Sequence, residues 1–190
     1  MIADLFTANV ILGILASGIR LATPYLYAAI GETFGQRSGV LNLGVEGQML
    51  LGAFAGFYLT FTTGSPWLGL LAAILVGALM GLVMGFISVT LHAEQGISGI
   101  GVYLFGLGMS DLLFQKTIGS VETVKGFQPV QIPLLSDLPV LGEVLFQHNI
   151  LVYLAFLLVP VSWFVLNKTT LGLKIRAVGE NPEAADSLGV

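Results

Sequence analysis

Two polar side chains at the start of an apolar run are the most chemically suggestive feature of this sequence. Asn42 and Glu46 stand four residues apart, so they would share one face of a helix. A carboxyl group entering a membrane is costly unless it faces polar partners or a water-filled cavity. One interpretation is that this face, with Gln48, lines a pathway or locks a helix packing. The other is an interfacial cap at headgroup depth, and the spacing leaves both open.

The remaining polar residues do not suggest an enzyme. His92 and Glu94 lie in one turn and Asp111 lies across the predicted bilayer, whereas a catalytic cluster needs groups that converge. The chain has two histidines, His92 and His148, and a metal site would need more ligands than these two offer. The sequence also contains no Gly-rich phosphate loop. We therefore predict no catalytic residue, metal or cofactor in this chain.

The polar segment at residues 167–190 is built to start a short helix. Asn181 can accept a hydrogen bond from a free backbone N–H as an N-cap. Pro182 suits the first helical position, and Glu183 lies at the positive end of the helix dipole. Gly189 can close the helix in a left-handed conformation. The pattern predicts a rigid surface helix that can dock on another protein, with a small apolar face made by Ala184, Ala185 and Leu188.

The composition indicates a membrane protein. The chain has 190 residues, of which 55% are hydrophobic and 9% are charged, and its mean hydropathy is +0.92. Soluble domains carry about 25% charged residues, so lipid must cover part of this surface. The net charge of −4 and the lack of a basic run exclude a nucleic-acid partner. The absence of cysteine leaves the redox compartment undefined.

The hydrophobic pattern predicts an all-α, polytopic transmembrane helical bundle with about five spans and with kinked or broken helices. About 20 apolar residues cross a bilayer, which places candidate spans at residues 9–30, 40–61, 67–91, 96–113 and 150–166. Residues 115–149 form an external loop. All of residues 1–190 then belong to one membrane domain.

The first span is impure, since Arg20 lies near its middle and Pro24 follows. It is either one tilted helix kinked at Pro24 or a surface helix followed by a broken one, and we favour the single helix. In the third span, small residues at four-residue steps predict a close helix contact; they are Ala73, Gly77, Gly81 and Gly85. The weak excess of basic residues places residues 167–190 in the cytoplasm, with the connectors 32–38 and 92–96 on the same side.

Two stretches together resemble a known family. Residues 38–49 read SGVLNLGVEGQM, and residues 172–189 carry a Gly-Glu-Asn-Pro-Glu-Ala-Ala core. In this order, and about 130 residues apart, they resemble the permeases of ABC importers for simple sugars and nucleosides, within the branched-chain amino acid and ribose superfamily. The Asn-Leu-Gly-Val-Glu-Gly form is closer to the nucleoside branch.

The resemblance implies a multi-pass permease subunit in a bacterial-type inner membrane that moves a nucleoside or sugar by alternating access. Its implied partners are ABC ATPase subunits, a second permease subunit, identical or related, and an extracytoplasmic substrate-binding protein or lipoprotein. The cytoplasmic segment would be the coupling loop that touches the ATPase, through Gly172, Arg176, Ala177, Gly179, Glu180, Asn181, Pro182, Glu183, Ala184, Ala185 and Gly189. The pathway or helix-packing residues would be Asn42, Gly44, Glu46, Gly47 and Gln48.

The alternative is an ion-coupled secondary transporter or channel, in which Glu46 and Asp111 would handle the ion. That alternative does not explain the capped helix at residues 181–189. Family members continue past the coupling loop with further membrane helices. We therefore expect this chain to be the N-terminal portion of a permease, which alone would not form a complete pathway.

Overall fold

The computed structural model describes residues 7–120, 122–131, 133, 136 and 141–189. The prediction of an all-α bundle is confirmed, since the strands are two three-residue segments. In chain order the elements are α1 (Ala8–Arg37), α2 (Val45–Thr63), α3 (Pro66–Gly85), a π-helical turn (Phe86–Thr90), α4 (Gln95–Thr117), β1 (Pro129–Gln131), α5 (Leu141–Leu145), β2 (Gln147–Asn149), α6 (Ile150–Lys168), α7 (Thr170–Glu180) and α8 (Pro182–Ser187).

Among the described residues, four helical segments are long and apolar enough to cross a membrane: Val10–Arg37, Pro66–Thr90, Gln95–Thr117 and Ile150–Lys168. They overlap four of the five predicted spans, so the chain is a multi-pass membrane protein. The predicted second span overlaps α2, a helix of 19 residues that is not one of these four. Its crossing of the membrane stays a prediction.

Several predicted boundaries are wrong. The connector at residues 32–38 is helical as far as Arg37, because α1 continues without a break through Pro24. The single-helix interpretation of the first segment agrees with this. The segment predicted to be an external loop begins later than residue 115, since α4 ends at Thr117. The second helix begins at Val45 rather than Val40, because residues 38–44 form a turn.

The described residues divide into two compact units. The first contains the N-terminal part of α1 (to Ile30), the β1–β2 pair and α6. In this unit the Tyr27 hydroxyl donates to the Leu151 carbonyl at 2.7 Å. Strands β1 and β2 are antiparallel, with Val130 opposite His148. His148 is buried, and its Nε2 lies 2.8 Å from the Val144 carbonyl oxygen.

The second unit is built on α2, α3 and α4. Helix α3 runs antiparallel to α2. The α3 residue that faces Gly56 comes earlier in the chain than the α3 residue that faces Gly52. Helix α4 runs parallel to α2, so the two helices begin at the same end of the unit. Its core holds Met80, Met84 and Val102, with Leu51 packed against them. The first turn of α2 lies beside residues 102–106 of α4.

The closest helix contacts are not those predicted for the third span. A Cβ added to Gly77, Gly81 or Gly85 would meet no atom within 4 Å in the described residues. Tight contacts join α2 to both neighbours. On the α3 side, a Cβ on Gly69 would overlap Thr60 and Gly56 of α2. On the α4 side, a Cβ on Gly47 would lie 2.6 Å from the Tyr103 backbone. A Cβ on Gly106 would overlap the Gly47 backbone.

A Gly47→Ala substitution should therefore destabilise the protein. The new methyl group would meet backbone that cannot move away, and overpacking of this kind costs about 1–3 kcal/mol. Gly101→Ala is the matched control, since its Cβ enters open space and alanine favours a helix over glycine. Thermal unfolding in detergent, followed by circular dichroism, should give a lower Tm for Gly47→Ala only. Equal Tm values for the two variants would contradict the α2–α4 contact.

Candidate functional site

Helix α8 has the caps that its sequence predicts. The Asn181 side-chain oxygen accepts a hydrogen bond from the Ala184 N–H at 3.0 Å, and Pro182 occupies the first turn. At the other end Gly189 has a φ of +72°, and its N–H donates to the Asp186 carbonyl at 2.9 Å. The backbone ends of this one-and-a-half-turn helix are thus satisfied within the segment itself.

The tip between α7 and α8 faces away from the rest of its unit. All five residues from Glu180 to Ala184 are exposed, whereas Ala185 retains only 3% of its surface. Of the predicted apolar face, Ala184 and Leu188 are exposed, Leu188 by 82%, whereas Ala185 is covered. The tip therefore presents two carboxylates and a capped helix start to the surroundings.

The end of α7 is fixed to the end of α1 by a contact between backbones. A Cβ on Gly179 would overlap the Arg37 carbonyl oxygen and lie 3.2 Å from the Gly39 nitrogen. Gly39 has a φ of +87°, which side chains with a Cβ rarely adopt. Its own Cβ position lies 3.5 Å from the Gly179 Cα. Glycine at both positions lets these two chain segments touch.

Two side chains from neighbouring helices hold the turn that follows Gly39. The Leu41 N–H donates to the Gln95 side-chain oxygen at 2.7 Å, and the Gln95 side-chain nitrogen donates to the Gly39 carbonyl at 3.2 Å. From α1, Glu32 accepts the Asn42 N–H at 3.0 Å. The turn between α1 and α2 thus depends on α1 and α4 for its backbone hydrogen bonds.

Asn42 and Glu46 do not share a helix face, so that prediction is wrong. Asn42 lies before α2 and uses its side-chain oxygen to accept the Gly44 N–H at 3.0 Å. Its side-chain nitrogen donates to the Gln48 side-chain oxygen at 3.1 Å. Glu46 lies in the first turn of α2 and is exposed. The partner of Asn42 is Gln48, because the turn redirects the chain before the helix begins.

The two glycines of this stretch are buried against α4. A Cβ on Gly44 would lie 2.8 Å from the Val102 side chain and 2.9 Å from the Gly99 carbonyl oxygen. Gly47 meets the backbone of Tyr103, as described above. Gly44 and Gly47 thus make helix-packing contacts with α4.

Helix α4 begins at the same place with its own cap. The Glu94 carboxylate accepts the Gly96 N–H at 2.9 Å and also the Ile97 N–H. These bonds favour the charged form and lower the pKa of Glu94 below its ordinary value. Since the folded pKa is lower, the cap stabilises the helix start above the unfolded pKa and is lost as the pH falls through the folded one.

The structure brings most of the predicted site residues into one unit. Gly172 is buried at the start of α7, and its carbonyl accepts a bond from Arg176 at 3.4 Å. The Ala177 carbonyl accepts the Asn181 N–H at 3.1 Å. Sequence reasoning did not assign Glu32 and Gln95 to the site. Both residues lie beside a polar connector, which is the feature of the sequence that could have indicated a role in the site. Their hydrogen-bond partners are backbone groups, and a sequence does not show which backbone groups a side chain meets.

No group of three or more metal-ligating side chains occurs among the described residues. The site consists of an exposed capped helix, a glycine contact and a turn held by polar side chains, and these are attached to apolar helices.

Residues 14–190 match the family model described as the permease component of branched-chain amino acid transport systems. The chain belongs to this family.

Several curated proteins are similar to it. A putative glucose ABC transporter permease of Haloferax volcanii is 42% identical, over 94% of this chain and 55% of the relative. A guanosine ABC transporter permease of Bacillus subtilis is 39% identical, over 89% and 56%. A nucleoside ABC transporter permease of Lactococcus lactis is 35% identical, over 93% and 59%. The chain thus spans little more than half the length of these relatives. No solved structure matches it.

The role of Gln95 can be tested by hydrogen exchange. Gln95→Leu removes the acceptor of the Leu41 N–H, and one hydrogen bond contributes about 1 kcal/mol. The Leu41 amide should therefore exchange roughly fivefold faster. Gln115→Leu, near the other end of α4, is the control and should leave this amide unchanged. Unaltered protection in Gln95→Leu would show that the turn does not depend on α4.

Proposed function

We propose that this chain is part of the permease subunit of an ATP-driven ABC importer that moves nucleosides or simple sugars across the cell membrane. The substrate would cross by alternating access, and ATP would be hydrolysed on a separate subunit. Family membership and the apolar helices support the permease role. The names of the relatives support both substrate classes, because two are nucleoside or guanosine permeases and one is a putative glucose permease.

Nucleosides are the favoured substrates. The Asn-Leu-Gly-Val-Glu-Gly stretch at residues 42–47 is closer to the nucleoside branch. The proposed partners are two ATPase subunits on the cytoplasmic side, a second permease subunit and an extracytoplasmic substrate-binding protein or lipoprotein. In this arrangement residues 167–190 are cytoplasmic, and the C-terminal ends of α2 and α4 point outward.

The observation that carries the proposal is the backbone contact between Gly179 and the Arg37–Gly39 turn, next to the exposed residues 180–184. A partner that binds this tip would push on α7. Because the contact involves backbone atoms on both sides, little flexible material lies between the tip and α1. Movement of the tip would therefore displace the turn.

From the turn, movement can reach the helices by three polar connections. Glu32 and Gln95 bind its backbone, and Gln48 binds Asn42. Each connection leads to a different helix, α1, α4 or α2. Closure of the ATPase would thus be delivered to three helices at once, which is what alternating access requires.

The ion-coupled alternative gains no specific support. Glu46 is exposed at the start of α2, and Asp111 accepts a bond from Gln115 at 2.8 Å within α4. On the proposed orientation these two carboxylates lie at opposite ends of the unit. They therefore do not form a joint ion site.

The ATPase contact can be tested with alanine substitutions at the tip. Changing Glu180, Asn181 and Glu183 to alanine together should abolish retention of the ATPase when the complete permease is purified with it in detergent. The cap alone contributes about 1 kcal/mol. Asn181→Ser keeps a capping oxygen and should retain more ATPase than Asn181→Ala.

The control changes Gln115 and Lys116 to alanine, since both are exposed at the far end of α4. It should retain the ATPase as the wild type does. If the folded triple variant retains as much ATPase as the wild type, the proposed contact is contradicted.

Gly179→Ala tests transmission rather than docking. Its methyl group would overlap the Arg37 carbonyl, so the α7–α1 contact must open while the tip stays intact. We expect the ATPase to remain bound, but substrate uptake per ATP hydrolysed in proteoliposomes to fall roughly fivefold, which corresponds to about 1 kcal/mol. Gly31→Ala, whose Cβ meets nothing within 4 Å, should couple normally. Normal coupling in Gly179→Ala would contradict the proposed route.

A further inference from the structure

Helices α2 and α4 leave a groove between the middle of α2 and the C-terminal half of α4. Its volume is about 450 Å³, which falls in the range of small-molecule sites. Three phenyl rings line it, from Phe54 and Phe57 of α2 and Phe114 of α4, and all three are half-buried. The rings of Phe57 and Phe114 are 6.2 Å apart and inclined at 50°. They form an angled aromatic wall.

One edge of the groove is polar. Ser110 and Asp111 line it, and Asp111 is exposed there. One oxygen of the Asp111 carboxylate accepts the Gln115 side-chain N–H at 2.8 Å, while the other makes no hydrogen bond within the described part of the chain. The groove thus offers a free acceptor opposite aromatic faces.

Lipid is a poor occupant of this groove. Asp111 lies about 9 Å before the end of α4, at 1.5 Å per residue, which is inside a membrane-crossing segment. A carboxyl group at such depth is costly in lipid and normally faces a water-filled cavity or a polar partner. A polar solute with one flat face satisfies both the carboxylate and the phenyl rings.

We propose that this groove binds the nucleoside on its way through the permease. The base stacks on the Phe57 and Phe114 rings, and the ribose hydroxyls donate to Asp111. On the proposed orientation, the groove begins about 9 Å from Gly44, at Leu50, and extends toward the outer side to Phe57, about 20 Å from Gly44. The inference rests on the proposed function and assigns the substrate class to particular side chains.

The test uses the complete permease with its ATPase and binding protein in proteoliposomes, and guanosine and glucose as probes. Because base stacking contributes roughly 1–3 kcal/mol, Phe57→Leu should raise the half-saturating guanosine concentration about tenfold. Phe105→Leu, an exposed phenylalanine of α4 that does not line the groove, is the matched control and should behave as the wild type. The binding protein is the same in all samples, so it does not contribute to differences between variants.

Asp111→Asn gives a second, chemically distinct readout. It should reduce the preference for guanosine over 2′,3′-dideoxyguanosine about tenfold, because the hydroxyl donors lose their charged acceptor. The inference is overturned if Asp111→Asn keeps the wild-type preference for guanosine over 2′,3′-dideoxyguanosine and Phe57→Leu keeps the wild-type half-saturating guanosine concentration. The inference is also overturned if the variants have a lower Tm and lose uptake equally for every substrate. That result is expected if another helix fills the groove.

The wild type separates failure of this inference from failure of the proposed function. A complex that carries glucose but not guanosine overturns the nucleoside site and leaves the permease function standing. A complex that retains no ATPase and moves neither solute overturns both.

Discussion

The contact between the backbones of Gly179 and the Arg37–Gly39 turn is the constraint on which the functional half of the molecule depends. A Cβ at Gly179 would separate them. Glycine at this position lets the end of α7 touch the end of α1. A stiff contact of this kind suits a part that must transmit force, because few rotatable bonds lie between its two sides.

The turn beside this contact illustrates how a polar stretch can lie next to apolar helices. Its backbone groups at Gly39, Leu41 and Asn42 cannot form helical hydrogen bonds, yet unsatisfied groups are costly in an apolar setting. Glu32 and Gln95 accept or supply these bonds. The same side chains that satisfy the turn also connect it to two helices, so stability and mechanical connection have one origin.

Glycine has a different task between α2 and α4. At Gly47 and Gly106 the two helix backbones touch, which increases dispersion contact in a membrane where burial of apolar surface gives little driving force. This tight N-terminal end of the pair contrasts with the open, phenylalanine-lined stretch further along the same pair. One helix pair thus combines a fixed contact beside the α1–α2 turn with open space nearer its C-terminal end.

The sequence alone determined the membrane class, four of the spans, the family and the capping of α8, because hydrophobic length and local cap chemistry act within a few residues. It did not determine the partners of Asn42, the roles of Glu32 and Gln95, or which glycines make contact. Asn42 stands four residues before Glu46 and still pairs with Gln48, since a turn breaks the helical period. Those features depend on contacts between residues as distant as 37 and 179, which only the folded chain brings together.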